Sequence, residues 1–76
     1  MKEKIIEILM DLVPDFEYSD DAKLLEDGIL DSFDIVNLVL EINEEFGINI
    51  GVEDVNEDNF ETVDSILKLV EDKLEY

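Results

Sequence analysis

Residues 24 to 47 read Leu24-Leu-Glu-Asp-Gly-Ile-Leu-Asp-Ser-Phe-Asp-Ile-Val-Asn-Leu-Val-Leu-Glu-Ile-Asn-Glu-Glu-Phe-Gly47. With Phe33 set at zero and an advance of about 100° per residue, Ile35, Leu38, Val39, Ile42 and Phe46 gather between about 140° and 240°. This stripe predicts a helix from Ser32 to Phe46 with one face in a core. Gly47, the residue best suited to the position just past a helix end, stops it. A second apolar line runs along the same helix: Phe33, Val36 and Leu40 fall between about 300° and 360°, beside Asp34, Asn37, Glu41, Glu44 and Glu45 between about 20° and 120°. The line has two readings. Either the helix is central and packed on two sides by its neighbours and a loop, or the three side chains form an exposed docking strip whose surrounding carboxylates orient a basic partner.

Working outward, Ile5, Ile6, Ile8, Leu9, Leu12 and Val13 share one face of a first helix from Lys2 to Val13, which Pro14 ends. The connection from Pro14 to Asp31 exceeds the roughly 12–15 residues that compact domains usually leave without regular structure. It is therefore expected to be an ordered loop, packed across the helices by Phe16, Leu24, Leu25, Ile29 and Leu30, with Gly28 at a turn and Tyr18 as a further anchor. Gly47 to Gly51 reads as a turn or short extended piece, and Val52 to Phe60 as a one-turn helix or irregular segment anchored by Val55 and Phe60. Thr62 is a suitable N-cap for a last helix that presents Val63, Ile66, Leu67, Val70 and Leu74. The expected fold is all-α: a small four-helix bundle of three main helices and one short one, with a long loop between the first and second, and residues 1–76 as a single domain.

The charge balance is 5 Lys+Arg against 23 Asp+Glu, a formal charge of −18, with no Cys and no His. These absences remove thiolate and imidazole chemistry, and a chain this short buries only roughly 60% of its unfolded surface, too little to enclose a deep substrate pocket. A binding or carrying role is expected, not catalysis. Between Leu24 and Leu67 lie thirteen acids and no cation, a surface that repels phosphate backbones and anionic bilayers and favours basic protein partners. Neither nucleic acid nor membrane insertion is expected. Without a twenty-residue apolar run or a signal-like start, the expected location is the cytosol, and the expected state a monomer.

Asp31 and Ser32 sit where the loop meets the second helix. Both are favoured N-caps, and the structural reading of Ser32 is a cap whose loss costs about 1 kcal/mol. With no base within reach, its hydroxyl is not a self-activated nucleophile, but another protein could modify it, and a phosphate placed there would meet the free amides and positive dipole end of the helix. A calcium reading of Asp54, Asn56 and Asp58 fails because Asn59 stands where the turn needs Gly and Ser65 where a bidentate Glu is needed. A second partial match over Asp15, Glu17, Ser19 and Glu26 fails because Asp20 holds its glycine position. No metal site is expected.

The stretch quoted above resembles the acyl and peptidyl carrier protein family, and the similarity covers the whole chain. That family has an Asp-Ser-Leu motif at the start of the second helix of a four-helix bundle. Its serine receives 4′-phosphopantetheine from coenzyme A. The resemblance implies that Ser32 is the attachment site, preceded by Asp31, and that a thioester on the arm's thiol carries a carboxylic or amino acid. It implies that Phe33, in the motif's leucine position, Val36, Leu40, Glu41 and Glu44 face partners. Implied partners are a phosphopantetheinyl transferase, an adenylating ligase or acyltransferase that loads the cargo, and a downstream acceptor enzyme. Glu26-Asp-Gly-Ile-Leu-Asp-Ser-Phe33, Glu45-Phe-Gly-Ile48 and Val55-Asn-Glu-Asp-Asn-Phe-Glu-Thr62 resemble the D-alanyl carrier proteins, which serve teichoic acid esterification, more than the fatty-acid carriers. Fatty-acid, polyketide and nonribosomal-peptide carriers remain alternatives within the family. A noncovalent acidic adaptor, with Ser32 only a cap, is the alternative outside it.

Overall fold

The apolar periods are realised as four helices in a computed structural model, which describes residues 1–14, 19 and 22–74. In chain order these are α1 (Lys2–Leu12), α2 (Ser32–Phe46), α3 (Glu57–Phe60) and α4 (Val63–Leu74), with a 3-10 turn at Val52–Asp54 before α3 and no strand among the described residues. α1 packs against α2 and α4, and α3 against α4. Val13 has φ −127° and ψ 86°, the extended geometry that a following proline favours, so α1 stops one residue before the expected end.

Every main helix contributes to one core: Ile5, Ile8 and Leu9 from α1, Leu38 and Ile42 from α2, and Val63, Ile66, Leu69 and Val70 from α4, closed by Leu24, Leu30, Ile50 and Phe60 from the shorter segments. No polar or charged residue is buried among the described residues, and each fully buried aliphatic or aromatic side chain contributes roughly 1.5–3 kcal/mol. The core stripe expected of α2 is present but unevenly covered. Leu38 and Ile42 are buried, whereas Ile35, Val39 and Phe46 are half-buried at its margins. Leu69 adds to the expected face of α4, and Thr62 caps that helix by accepting the Ser65 N–H at 3.1 Å.

The connection into α2 is ordered where it is described. Leu24 N–H donates to the Glu61 carbonyl at 2.7 Å and Leu30 N–H to the Leu24 carbonyl at 2.8 Å, with Gly28 at φ 72° allowing the turn between them. Leu24 and Leu30 are buried, while Leu25 and Ile29 pack as half-buried neighbours. Phe16, Tyr18 and Tyr76 lie outside the described residues, as do Asp15, Glu17 and Asp20.

After α2, Gly47 takes the left-handed conformation (φ 64°) and donates its N–H to the Asn43 carbonyl. The Asn43 side chain then holds the returning chain at both polar groups of one residue: its Oδ1 accepts the Ile50 N–H at 2.8 Å and its Nδ2 donates to the Ile50 carbonyl at 3.4 Å. The following turn closes on Asp54, whose Oδ2 accepts the Gly51 N–H at 3.1 Å and pairs with Lys73 Nζ of α4 at 2.7 Å. Phe60 is buried as expected, but Val55 is not an anchor. Val52 begins the 3-10 turn and Val55 follows it in an extended conformation, and both are exposed.

Hydrogen bonding from Lys73, and secondarily from the Gly51 amide, lowers the Asp54 pKa below its ordinary 3.8, and the same bond to Asp54 raises Lys73 above 10.5. A lowered acid stabilises the fold above its unfolded pKa and loses that contribution as pH falls through the folded value. A raised lysine contributes below its unfolded pKa and loses the contribution as pH rises through the folded one. The melting-temperature difference between wild type and Asp54→Asn should therefore be steady at neutral pH and shrink on acidification below 3.8 and on alkalisation above 10.5. Thermal melts of both proteins across this range check it, with the variant serving to subtract the effect of the other acids.

Candidate functional site

The start of α2 is built by Asp31, not by Ser32. Asp31 takes an extended conformation and its Oδ1 accepts the Asp34 N–H at 2.8 Å, while Asp34 Oδ2 accepts the Asp31 N–H at 3.3 Å. This reciprocal capping box satisfies two backbone donors at once. Ser32 is consequently the first helical residue, exposed, and its hydroxyl has no hydrogen-bond partner among the described residues. The expectation that Ser32 caps the helix is corrected here. A cap needs non-helical backbone before the first turn, and the buried Leu30 sets Asp31, one residue earlier, in that place.

The second apolar line on α2 lies on the surface: Phe33 is 76% exposed, Val36 59% and Leu40 61%. The reading of these three as packed core residues is thereby excluded. Beside them opens an apolar groove of about 330 Å³, lined on the α2 side by Ser32, Ile35, Val36, Val39 and Leu40 and on the other by Ile50, Gly51, Val52 and Val55. Ser32 stands at its edge. Phe33 lies outside the lining, and Glu41 borders a separate cleft with Ile8, Asp11 and Leu12 of α1. Glu41 and Glu44 are exposed, and neither lines the groove.

Two residues of this surface escaped the sequence reading. Val52, 89% exposed, and Val55 form the rim that faces α2 across the groove. The signal available in sequence was the Gly51 that precedes the turn, followed three residues later by Asp54, whose carboxylate accepts the Gly51 N–H. The calcium motif has other employment: Asp54 is engaged by Lys73 and Gly51, and the Asn56 side chain caps α3 by accepting the Asn59 N–H at 2.9 Å. No group of three potential metal-ligating side chains gathers among the described residues.

The family model described as a phosphopantetheine attachment site matches residues 2–70. The chain belongs to this family. Similarity to individual proteins extends over the same length: the D-alanyl carrier protein of Bacillus cereus strain B4264 is 32% identical over 73 residues, covering 93% of this chain and 92% of the relative, and that of Bacillus anthracis strain CDC 684 matches to the same extent. The chain is a carrier protein of the thioester-holding kind, and its prosthetic group is 4′-phosphopantetheine, covalently attached. The residues around the start of α2 fit such a group. An exposed, unpartnered hydroxyl offers a point for a phosphodiester, and the neighbouring helix amides and dipole favour its negative charge. No described helix is long and apolar enough to cross a membrane.

The division of labour between Asp31 and Ser32 has a measurable consequence. Asp31→Ala should lower stability by about 1 kcal/mol, a typical cost for losing a cap. Ser32→Ala should leave it within about 0.5 kcal/mol of wild type, as for an exposed residue without partners. Urea denaturation of the two unmodified variants separates these outcomes.

Proposed function

We propose that Ser32 bears the 4′-phosphopantetheine of this carrier and that α2 presents it to partner enzymes, with residues 1–76 acting as one carrier domain. The observation that carries this reading is the exposed, unpartnered hydroxyl at the first residue of α2, beside the apolar groove. The group supplies a thiol on which cargo is held as a thioester. The protein contributes position. Asp31 fixes the helix start through Asp34, leaving the Ser32 hydroxyl uncommitted, while Phe33, Val36 and Leu40 offer apolar contact area next to it.

The partners that follow are a phosphopantetheinyl transferase, an adenylating ligase that loads the cargo and a downstream acceptor. D-alanine is the cargo that the relatives' names support, and teichoic acid modification is the destination that the family resemblance implies for it. The carrier performs no chemistry of its own in this scheme and works in the cytoplasm. Tethering replaces repeated capture from dilute solution with delivery at high effective concentration, and weak electrostatic docking lets partners exchange quickly.

Incubation with coenzyme A, magnesium and a broad-specificity phosphopantetheinyl transferase should add the mass of one phosphopantetheine to the wild type and none to Ser32→Ala, read by intact-protein mass spectrometry. A fully modified Ser32→Ala would place the site elsewhere, and an unmodified, folded wild type would favour the noncovalent adaptor. The acids beside the ridge steer basic partners in this reading. Glu41→Lys combined with Glu44→Lys should therefore weaken docking with a loading ligase more at low salt than at high salt, where screening has already removed the long-range attraction. Titration calorimetry at two ionic strengths measures the difference.

A further inference from the structure

The groove beside Ser32 has two unlike walls. One is α2, a fifteen-residue helix with Leu38 and Ile42 in the core. The other is the segment from Ile50 to Val55, and from Gly51 through Asn59 no side chain is buried. The core grips this stretch at Ile50 and again at Phe60. Between those points it is held by polar tethers, and three of them converge on Asp54. Its Oδ2 accepts the Gly51 N–H at 3.1 Å, its carbonyl accepts Asn59 Nδ2 at 2.7 Å, and its Oδ2 pairs with Lys73 Nζ at 2.7 Å. The first two tethers join the segment to itself or to the adjoining α3. Lys73 alone among them reaches from a main helix, the last turn of α4.

We propose that Lys73 is a positioning residue for modification at Ser32: through Asp54 it holds the Val52–Val55 rim in the place where an enzyme acting on Ser32 docks. This rests on the reading of Ser32 as the attachment site. The rim is the face of the turn opposite Val36 and Leu40, and its two valines are exposed, so a partner bridging the groove meets apolar side chains on both walls. An anchored rim is preorganised, and a released one must be ordered at the moment of docking. The Ser32 hydroxyl does not share this dependence. It sits on α2 behind the Asp31–Asp34 capping box, so loss of the ion pair weakens docking without misplacing the group that reacts.

The test uses the full-length unmodified chain, coenzyme A and a broad-specificity phosphopantetheinyl transferase, with carrier concentration varied. Lys73→Met should raise KM roughly three- to fivefold with kcat unchanged, the size expected when a partly exposed ion pair is lost and binding alone suffers. Lys73→Arg should restore the wild-type KM. Asp54→Asn, which can still accept the Gly51 N–H, should reproduce the Lys73→Met value, and the double variant should be no worse than either single one. Lys68→Met controls for net charge, because Lys68 lies on the same helix but makes no ion pair among the described residues. Amide exchange supplies a readout apart from the transferase: Gly51 and Val55 should exchange faster in Lys73→Met, with Leu9 and Ile42 in the core unchanged. An unaltered KM in Lys73→Met, an equal rise in Lys68→Met, or accelerated exchange throughout the core would overturn the proposal while leaving Ser32 as the attachment site. Failure of the wild type to accept the group would remove both.

Discussion

The exposure of Ser32 at the start of α2 depends on a joint between two stretches of chain that carry no part of the proposed site. Leu24 donates its amide to the Glu61 carbonyl, and Leu24 and Leu30 are both buried. This secures the incoming loop to the end of α3 and fixes where the chain leaves the core. Asp31 is the next residue, and its extended backbone and carboxylate set the first turn of α2. Were the joint displaced, the helix could start elsewhere and a different residue would occupy its first position. The site is therefore a product of core packing transmitted through two hydrogen-bonded residues, and its hydroxyl remains uncommitted because the neighbouring carboxylate does the capping.

Charge shapes the rest of the molecule. Cations are scarce, and four of the five lysines engage acids among the described residues: Lys2 with Asp64 at 2.9 Å, Lys4 with Glu7 at 3.8 Å, Lys23 with Glu26 at 3.5 Å and Lys73 with Asp54 at 2.7 Å. Lys4–Glu7 and Lys23–Glu26 are exposed local pairs that add little to stability. Lys2–Asp64 joins α1 to the start of α4, and Lys73–Asp54 joins α4 to the groove wall. None of these lysines lies on α2. α2 itself carries four acids, Asp34, Glu41, Glu44 and Glu45, and no cation.

Long apolar periods made α1, α2 and α4 legible in the sequence, as did the terminating Gly47 and the Thr62 cap. The Asp-Ser pair and its neighbours marked the candidate site through family resemblance. Periodicity could not decide whether Phe33, Val36 and Leu40 were covered, because coverage depends on where neighbouring segments run and not on the helix itself. It also could not assign the cap between Asp31 and Ser32, two residues of equal propensity whose roles are separated by the burial of Leu30. The Ile50–Val55 wall was the least legible part. It is organised by side chains outside it, Asn43 and Lys73, and Val55, which the sequence reads as an anchor, is exposed together with Val52.

Asn43 offers the returning chain one donor and one acceptor, and Ile50 answers with its own carbonyl and amide. The arrangement is a strand-like pairing in which one partner is a side chain, and it spans only seven positions along the sequence. Such a short link closes a small loop at low entropic cost. The floor of the groove is in this sense held by a contact local in sequence, whereas its rim is tied to α4 by a lysine far along the chain. One surface thus rests on two kinds of support, and the rim is the part that a single distant side chain secures.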